Sequence, residues 1–258
     1  QITDIEKEVL RYKKHFKGKT VFCNCDDPEI SHFWKFFSLT FEDLKIKKLI
    51  STHYKKNKPS YKLEISKDLN KDGKINKLDT KKTRLKQNGD FRSQECIEIL
   101  KQSDIIVTNP PFFLWKEYLE QLFEYKKKFL IIGNVNALSY KKTFSKIKEK
   151  KLWLGHSIKG GDREFRVPKD YPLKAAGYRT DDQGNNYIRV KSVRWFTNLD
   201  YKERYYDLEL YKKYRNNKKD YPKYVNYDAI NLNVTKDIPK DYEGHIGVPL
   251  TFMDRYNP

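Results

Sequence analysis

The chain has 258 residues, and 54 Lys and Arg set against 35 Asp and Glu give a formal net charge of +19, which suits a polyanionic partner. Only 11 Gly and 10 Pro exclude a disordered or low-complexity chain, and 3 Cys exclude a disulfide framework. No stretch is long and apolar enough for a membrane span and no signal peptide is visible, so a cytoplasmic protein with reduced thiols and no metal site is expected.

The length suffices for one large α/β domain or a core with an appended module. It opens with a basic amphipathic helix over residues 1–18, with Ile2, Ile5, Val9 and Leu10 on one side. A first strand follows from Thr20 to Cys25. Asp27 and Pro28 then read as an N-cap with proline at the first helical position, leading into a helix through Ser31 and Phe37. Lys48 to Thr52 is a second strand. From Lys55 to Lys86 the sequence is polar and turns at Asn70 to Gly73, which predicts a surface hairpin insertion. A turn at Gly89, Asp90 and Phe91 precedes a short helix from Ser93 to Lys101.

Ile105 to Val107 is an apolar, β-branched run that reads as a short buried strand. It stops at Asn109, Pro110, Pro111 and Phe112. Two consecutive prolines cannot donate to a ladder, so the strand must end there in a stiff turn. Pro110 also drives Asn109 toward an extended conformation. The turn therefore presents an amide and an aromatic ring together at the carboxyl end of a strand, where open α/β sheets bind ligands. A helix over Leu114 to Tyr125, a buried strand from Phe129 to Asn134 and a basic helix from Tyr140 to Lys150 complete an alternation that predicts an α/β fold with a mostly parallel sheet. The character changes after Trp153, with a soft boundary near residue 155. Beyond it, Tyr187 to Thr197 alternates as one strand, Leu199 to Tyr224 is charged and tyrosine-rich, and Ile246 to Met253 reads as a further strand.

The Asn109 to Phe112 turn resembles the catalytic motif of S-adenosylmethionine-dependent amino methyltransferases. The resemblance implies that the Asn109 amide and the Pro110 carbonyl accept hydrogen bonds from a planar exocyclic amine, while Phe112 stacks on its ring and Pro111 stiffens the turn. More specifically, five blocks in order resemble the EcoRI-type adenine-specific DNA methyltransferase family: Val21 to Phe37, Thr108 to Phe112, Ile132 to Asn136, Arg194 to Asn198, and Ile246 to Phe252. A glycine-rich cofactor turn is absent after the first strand, where Cys23, Asn24, Cys25, Asp26 and Asp27 stand instead. The resemblance implies a Rossmann-like methyltransferase fold in residues 1–155. Residues 156–258 would add sheet-completing strands and a C-terminal DNA-recognition extension.

It also implies that Cys23, Asn24, Asp26 and Asp27 line the methionine and ribose side of S-adenosyl-L-methionine, with Asp26 or Asp27 on its ammonium. Asp90 and Phe91 would take the adenine, and Asn109 would border both sites. The second strand ends at His53 and Tyr54 with no acid for the ribose. For duplex DNA, the expected contacts are Lys159, Arg163, Arg166, Lys174, Arg179, Arg189 and Arg194, beside a close-approach loop at Gly160 and Gly161. The target adenine must be flipped out of the stack. A monomer is expected, acting beside a cognate restriction endonuclease. Two other readings stay open: an RNA base methyltransferase, and a catalytically inactive DNA-binding module of the same fold. The chain starts without methionine and is read as a piece of a longer protein.

Overall fold

The computed structural model describes residues 2–167 and 177–255. Lys174 therefore lies outside the described residues. The chain divides into two compact units, residues 1–200 and 201–258.

The first unit is built on an eight-stranded mixed sheet. Its strands are β1 Thr20–Cys23, β2 Lys48–Thr52, β3 Tyr61–Ile65, β4 Lys81–Arg84, β5 Ile105–Thr108, β6 Lys128–Asn134, β7 Trp153–Leu154 and one later strand. A separate three-stranded sheet holds β8 Arg163–Val167, β9 Arg179–Thr180 and β10 Asn186–Val190, after which β11 Val193–Thr197 returns to the large sheet. The order in the large sheet is β4-β3-β2-β1-β5-β6-β11-β7. Only the centre, β2-β1-β5-β6, is parallel; β3, β4, β11 and β7 run antiparallel at the flanks. The mostly parallel expectation is corrected to a mixed sheet, because the polar 55–86 insertion does not merely lie on the surface. It forms a hairpin that extends the sheet edge.

The parallel centre is buried throughout β1 and β5, as expected for strands covered on both faces. The helices are α1 Ile2–Val9, α2 Lys13–Phe16, α3 His32–Leu39, α4 Gln94–Gln102, α5 Trp115–Glu124 and α6 Lys141–Lys148. Trp195 of β11 meets Phe33 of α3 edge to face, while its neighbour Phe196 meets Trp115 of α5. Successive strand residues point to opposite faces, so α3 and α5 cover opposite sides of the sheet. The core lies between these layers.

Local chemistry departs from expectation in four places. The opening helix breaks into α1, a 3-10 turn and α2, burying Val9, Tyr12 and Phe16 and leaving Leu10 exposed. Ser31, not Asp27, caps α3 by accepting the Phe33 N–H; the Asp27 carboxylate closes the preceding turn by accepting the Glu29 N–H. The alternating run at 187–197 is two strands in two sheets, split at Ser192, whose φ of 59° no continuous strand allows. Residues 246–253 form the short strand β13 His245–Gly247 and a 3-10 helix rather than one strand.

The second unit carries β12 Ala229–Asn231 paired in parallel with β13. Its core is small: Tyr221, Ile230, Leu232 and Ile238, with Tyr214 and Tyr242 against them.

Candidate active site

The sheet order reverses between β1 and β5: from β1 the chain builds outward through β2, then returns to its other side with β5. This is the topological switch point, where the loops after two adjacent parallel strands part and leave a crevice. Both singled-out sequence stretches end there.

After β1, two consecutive aspartates diverge. Asp26 leans toward β5, where its Oδ2 accepts the Thr108 hydroxyl at 2.5 Å and the Asn109 N–H at 3.1 Å. The Cys25 N–H donates to the same Thr108 oxygen at 3.1 Å. Burial pushes the Asp26 carboxyl up to about 7; the bonds from Thr108 and Asn109 oppose that shift and Asp27 adds to it. Asp27 leans toward β2, where its Oδ2 lies 3.5 Å from Nε2 of His53. Asn24 is buried, 2% exposed, and accepts the Tyr118 hydroxyl at 2.6 Å; its amide nitrogen is buried with no acceptor. Burial raises the Cys23 and Cys25 thiols, so neither is a thiolate nucleophile near neutrality.

At the end of β5, the Asn109 side-chain oxygen is buried and no donor reaches it. A buried carbonyl oxygen left unpaired costs about 1–3 kcal/mol, so its retention is a sign of use by a ligand. The turn itself is fixed: Asp26 pins the Asn109 backbone, and the Pro111 carbonyl accepts the Leu114 N–H. Phe112 begins a 3-10 turn and, with Trp115, Asn136 and Tyr140, lines a depression of about 290 Å³.

The turn before α4 forms the remaining wall. Asp90 is clasped by Arg92, whose Nε and Nη2 donate to its two oxygens at 2.8 and 2.7 Å, holding its carboxyl below the ordinary range. Phe91 is 4% exposed and packs edge to face on Tyr118. Among the described residues no cluster of three or more His, Cys, Asp or Glu is arranged to hold a metal ion, and no helix is long and apolar enough to cross a membrane.

Residues 1–258 match the family described as adenine-specific methyltransferase EcoRI. The chain belongs to this family. It is 48% identical to the type II methyltransferase M.EcoRI of Escherichia coli, covering 100% of this chain and 82% of the relative. It is 42% identical to M.MgeORF184P of Mycoplasma genitalium, over 100% and 78% of the two chains. With M.MpnI of Mycoplasma pneumoniae the figures are 40% identity, 99% and 77%. No solved structure matches the chain significantly.

An adenine-specific methyltransferase must also read its substrate, and the β8-β10-β9 sheet gathers much of the expected basic set. Register places Arg166 opposite Tyr187, Glu164 opposite Arg189, and Arg179 opposite Tyr187. Directly paired residues share a face, so Arg166, Arg179, Arg189, Glu164 and Tyr187 stand together. Arg163 is on the other face and pairs with Asp4 at 3.8 Å. Each arginine on the shared face is held: Arg179 by a two-pronged bond to Glu164 and by the ring of Tyr187, Arg189 by Asp162, and Arg166 by Asn185. Lys159 is exposed. Arg194 is 4% exposed, inside β11, and so stands apart from the expected solvent-facing set. The sequence assigned no site role to Thr108, Tyr118, His53 or Tyr140, although Thr108 opens the Asn109 to Phe112 block and His53 was placed at the end of the second strand. Thr108 left a signal as the polar residue closing an apolar strand, and His53 as the residue ending the second strand; Tyr118 and Tyr140 left none.

Proposed function

We propose that this methyltransferase moves a methyl group from S-adenosyl-L-methionine to the N6 amine of an adenine in double-stranded DNA, as the modifying partner of a restriction endonuclease. The observation that carries the reading is the buried, unpartnered oxygen of Asn109 on a turn pinned by Asp26. An aromatic amine delocalises its lone pair into the ring and is a poor nucleophile. Acceptors placed by Asn109 and by the Pro110 carbonyl favour a pyramidal nitrogen and free that lone pair for attack. Phe112 stacks on the base, and the depression bounded by Trp115, Asn136 and Tyr140 has room for a flipped purine.

The residues of the crevice fit S-adenosylmethionine, which supplies an electrophilic methyl on a sulfonium. Asp26 offers a carboxylate whose burial is relieved by a cation, which suits the ammonium. The unpaired amide N–H of Asn24 suits the methionine carboxylate. Cys23 and Cys25 line the wall, Asp90 accepts from the adenine amine and Phe91 backs it. No general base is needed, since the nitrogen becomes acidic only once methylated. Lys159, Arg163, Arg166, Arg179 and Arg189 contact the DNA, with residues 156–258 as the recognition region. The protein acts as a monomer, since one adenine in one strand is modified at a time, and works in the cytoplasm.

Transfer of labelled methyl to unmethylated genomic DNA, with total RNA in parallel and digestion to nucleosides, tests this. N6-methyldeoxyadenosine is expected; label in RNA alone would overturn the choice of substrate.

A further inference from the structure

The polar insertion that extends the sheet edge carries a second concentration of positive charge, separate from the arginines of β8, β9 and β10. Residues 53–62 and 81–88 hold eight Lys and Arg and no Asp or Glu. The 54–59 loop among them is tied down at both feet. The Lys55 N–H donates to the Asn88 carbonyl at 2.8 Å, the Ser60 N–H to Gln87 at 3.0 Å, and the Leu85 N–H to Ser60 at 2.8 Å. The Ser60 hydroxyl closes the arch on the His53 carbonyl at 2.6 Å. Beside the arch lies a depression of about 270 Å³, lined by His53, Lys55, Ser60, Tyr61, Lys82 and Arg84.

The acids around this wall are engaged elsewhere. Glu29 meets Lys82 at 3.1 Å, Glu64 lies against Lys48 and Lys62, and Glu95 accepts the Lys86 and Gln87 N–H groups. Lys55 and Arg84 are exposed and have no acidic partner among the described residues. On the small sheet, by contrast, Arg179 and Arg189 are each paired with an acid. Like charges held together without counterions repel one another, and an anion between them relieves the repulsion. Tyr61 narrows the kind of anion. His53 lies flat on one face of its ring, centroids 4.8 Å apart and planes at 7°, and Lys82 Nζ sits 3.7 Å from the ring centroid, over the other face. No base can stack there, so the wall suits phosphate alone, which lysine binds as a point charge without reading sequence.

Its place in the sheet agrees. β2 ends on the same carboxyl edge as β5, and β3 and β4 lie three and four strand intervals from β5. At about 4.8 Å per interval, the depression is about 14–19 Å from the Asn109 turn, or about four to six base pairs along a duplex.

We propose that the β3-β4 hairpin and its 54–59 loop hold the DNA backbone flanking the target adenine, through Lys55 and Arg84 and without regard to sequence. The assignment rests on the duplex-DNA reading above and adds a contact outside residues 156–258.

Affinity of the whole chain for unmethylated duplex DNA, titrated against salt, tests it. Lys55→Gln combined with Arg84→Gln removes two phosphate contacts and lowers the slope of log affinity against log salt by about 2, at about 0.9 for each. Lys17 and Lys47 are exposed at the opposite, amino edge of the sheet. Lys17→Gln combined with Lys47→Gln removes the same charge there and lowers the slope by less than about 0.5, because distant surface charges are screened. Both variants keep wild-type affinity for S-adenosylhomocysteine. Equal losses of slope in the two variants would reduce the effect to net charge and overturn the proposal, as would an unchanged slope. Weaker S-adenosylhomocysteine binding with no change of slope would assign the depression to the cofactor instead. A wild type that binds RNA but no duplex DNA would remove the substrate reading, and this surface with it.

Discussion

The crevice at the β1/β5 switch point and the arginine-bearing β8-β10-β9 sheet solve opposite problems. In the crevice, side chains are held by buried or partly buried bonds between segments distant in sequence, such as Asp26 to Thr108 and Asn109, and Tyr118 to Asn24. On the small sheet, the functional candidates are held by exposed ion pairs between close neighbours, such as Arg179 to Glu164 and Arg189 to Asp162. Buried bonds in a low-dielectric site cost no reorganisation when the reaction begins. Exposed pairs contribute about 0–1 kcal/mol and exchange readily for a phosphate. Chemistry here calls for rigidity, and reading a polyanion calls for partners that can be traded.

The sharpest break of that contrast is at Asn109. Asn109→Ala removes the unpaired acceptor and leaves the Asp26 bond to the backbone, so methyl transfer falls on the order of 10²- to 10³-fold while cofactor and DNA binding stay within about threefold. Single-turnover rates beside equilibrium affinities measure both; unchanged turnover would unseat Asn109.

Asp26→Asn comes next. Both donors already share Oδ2, and a neutral amide oxygen accepts them more weakly than a carboxylate does, so the turn loosens and turnover falls about 10- to 100-fold. The same residue makes a pH prediction. Its carboxyl is raised from 3.8 to about 7, so the folded chain holds an extra proton between those values. This group's contribution to stability therefore falls as pH rises through that window and is least favourable above it. The cofactor-free wild type should lose more thermal stability between pH 5 and pH 8 than Asp26→Asn does. A cation bound beside Asp26 would also expel that proton. Cofactor binding near pH 6, followed by calorimetry in buffers of different ionisation heat, should release up to about one proton in the wild type and less in the variant.

The two regions were not equally legible in the sequence. Asn109 to Phe112 announced itself because two prolines after a β-branched run permit one local structure. The parallel centre followed from apolar runs, each long enough for one buried strand. What escaped depended on tertiary contact. The hairpin over 61–65 and 81–84 was legible but its joining of the sheet was not, because β4 is a largely exposed edge strand and β3 beside it buries only Leu63 and Ile65. Ser192 interrupts an unbroken alternation only through its backbone angle. Arg194 fits a basic surface list by composition, and only the position of β11 between β6 and β7 shows it buried. The pairing of Asp27 with His53 spans two strands and no local spacing encodes it.

If the small sheet is the proposed DNA face, effects there should be smaller and salt-dependent. Arg179→Ala and Arg189→Ala should each weaken DNA binding several-fold and reduce the slope of log affinity against log salt by about 1. An unchanged slope would move the DNA face off this sheet.

Glu164→Gln carries the smallest effect and separates two roles for one carboxylate. Glu164 grips Arg179 with both oxygens and faces Arg189 across the register. As a plain neutraliser of positive charge, it would lower affinity for all DNA alike. As a brace, it would fix the Arg179 fork, sandwiched against Tyr187, in the planar geometry that a guanine edge demands. The variant should then bind non-cognate duplex about two- to fivefold more tightly at low salt, where one fewer acidic group competes for the arginine. Cognate affinity should rise less, so the ratio between them falls. Competition titrations with methylated and unmethylated cognate duplex against random DNA read that ratio directly. Equal gains on both would reduce Glu164 to a charge, and the guanine reader would then have to be sought at Arg166 or Arg189.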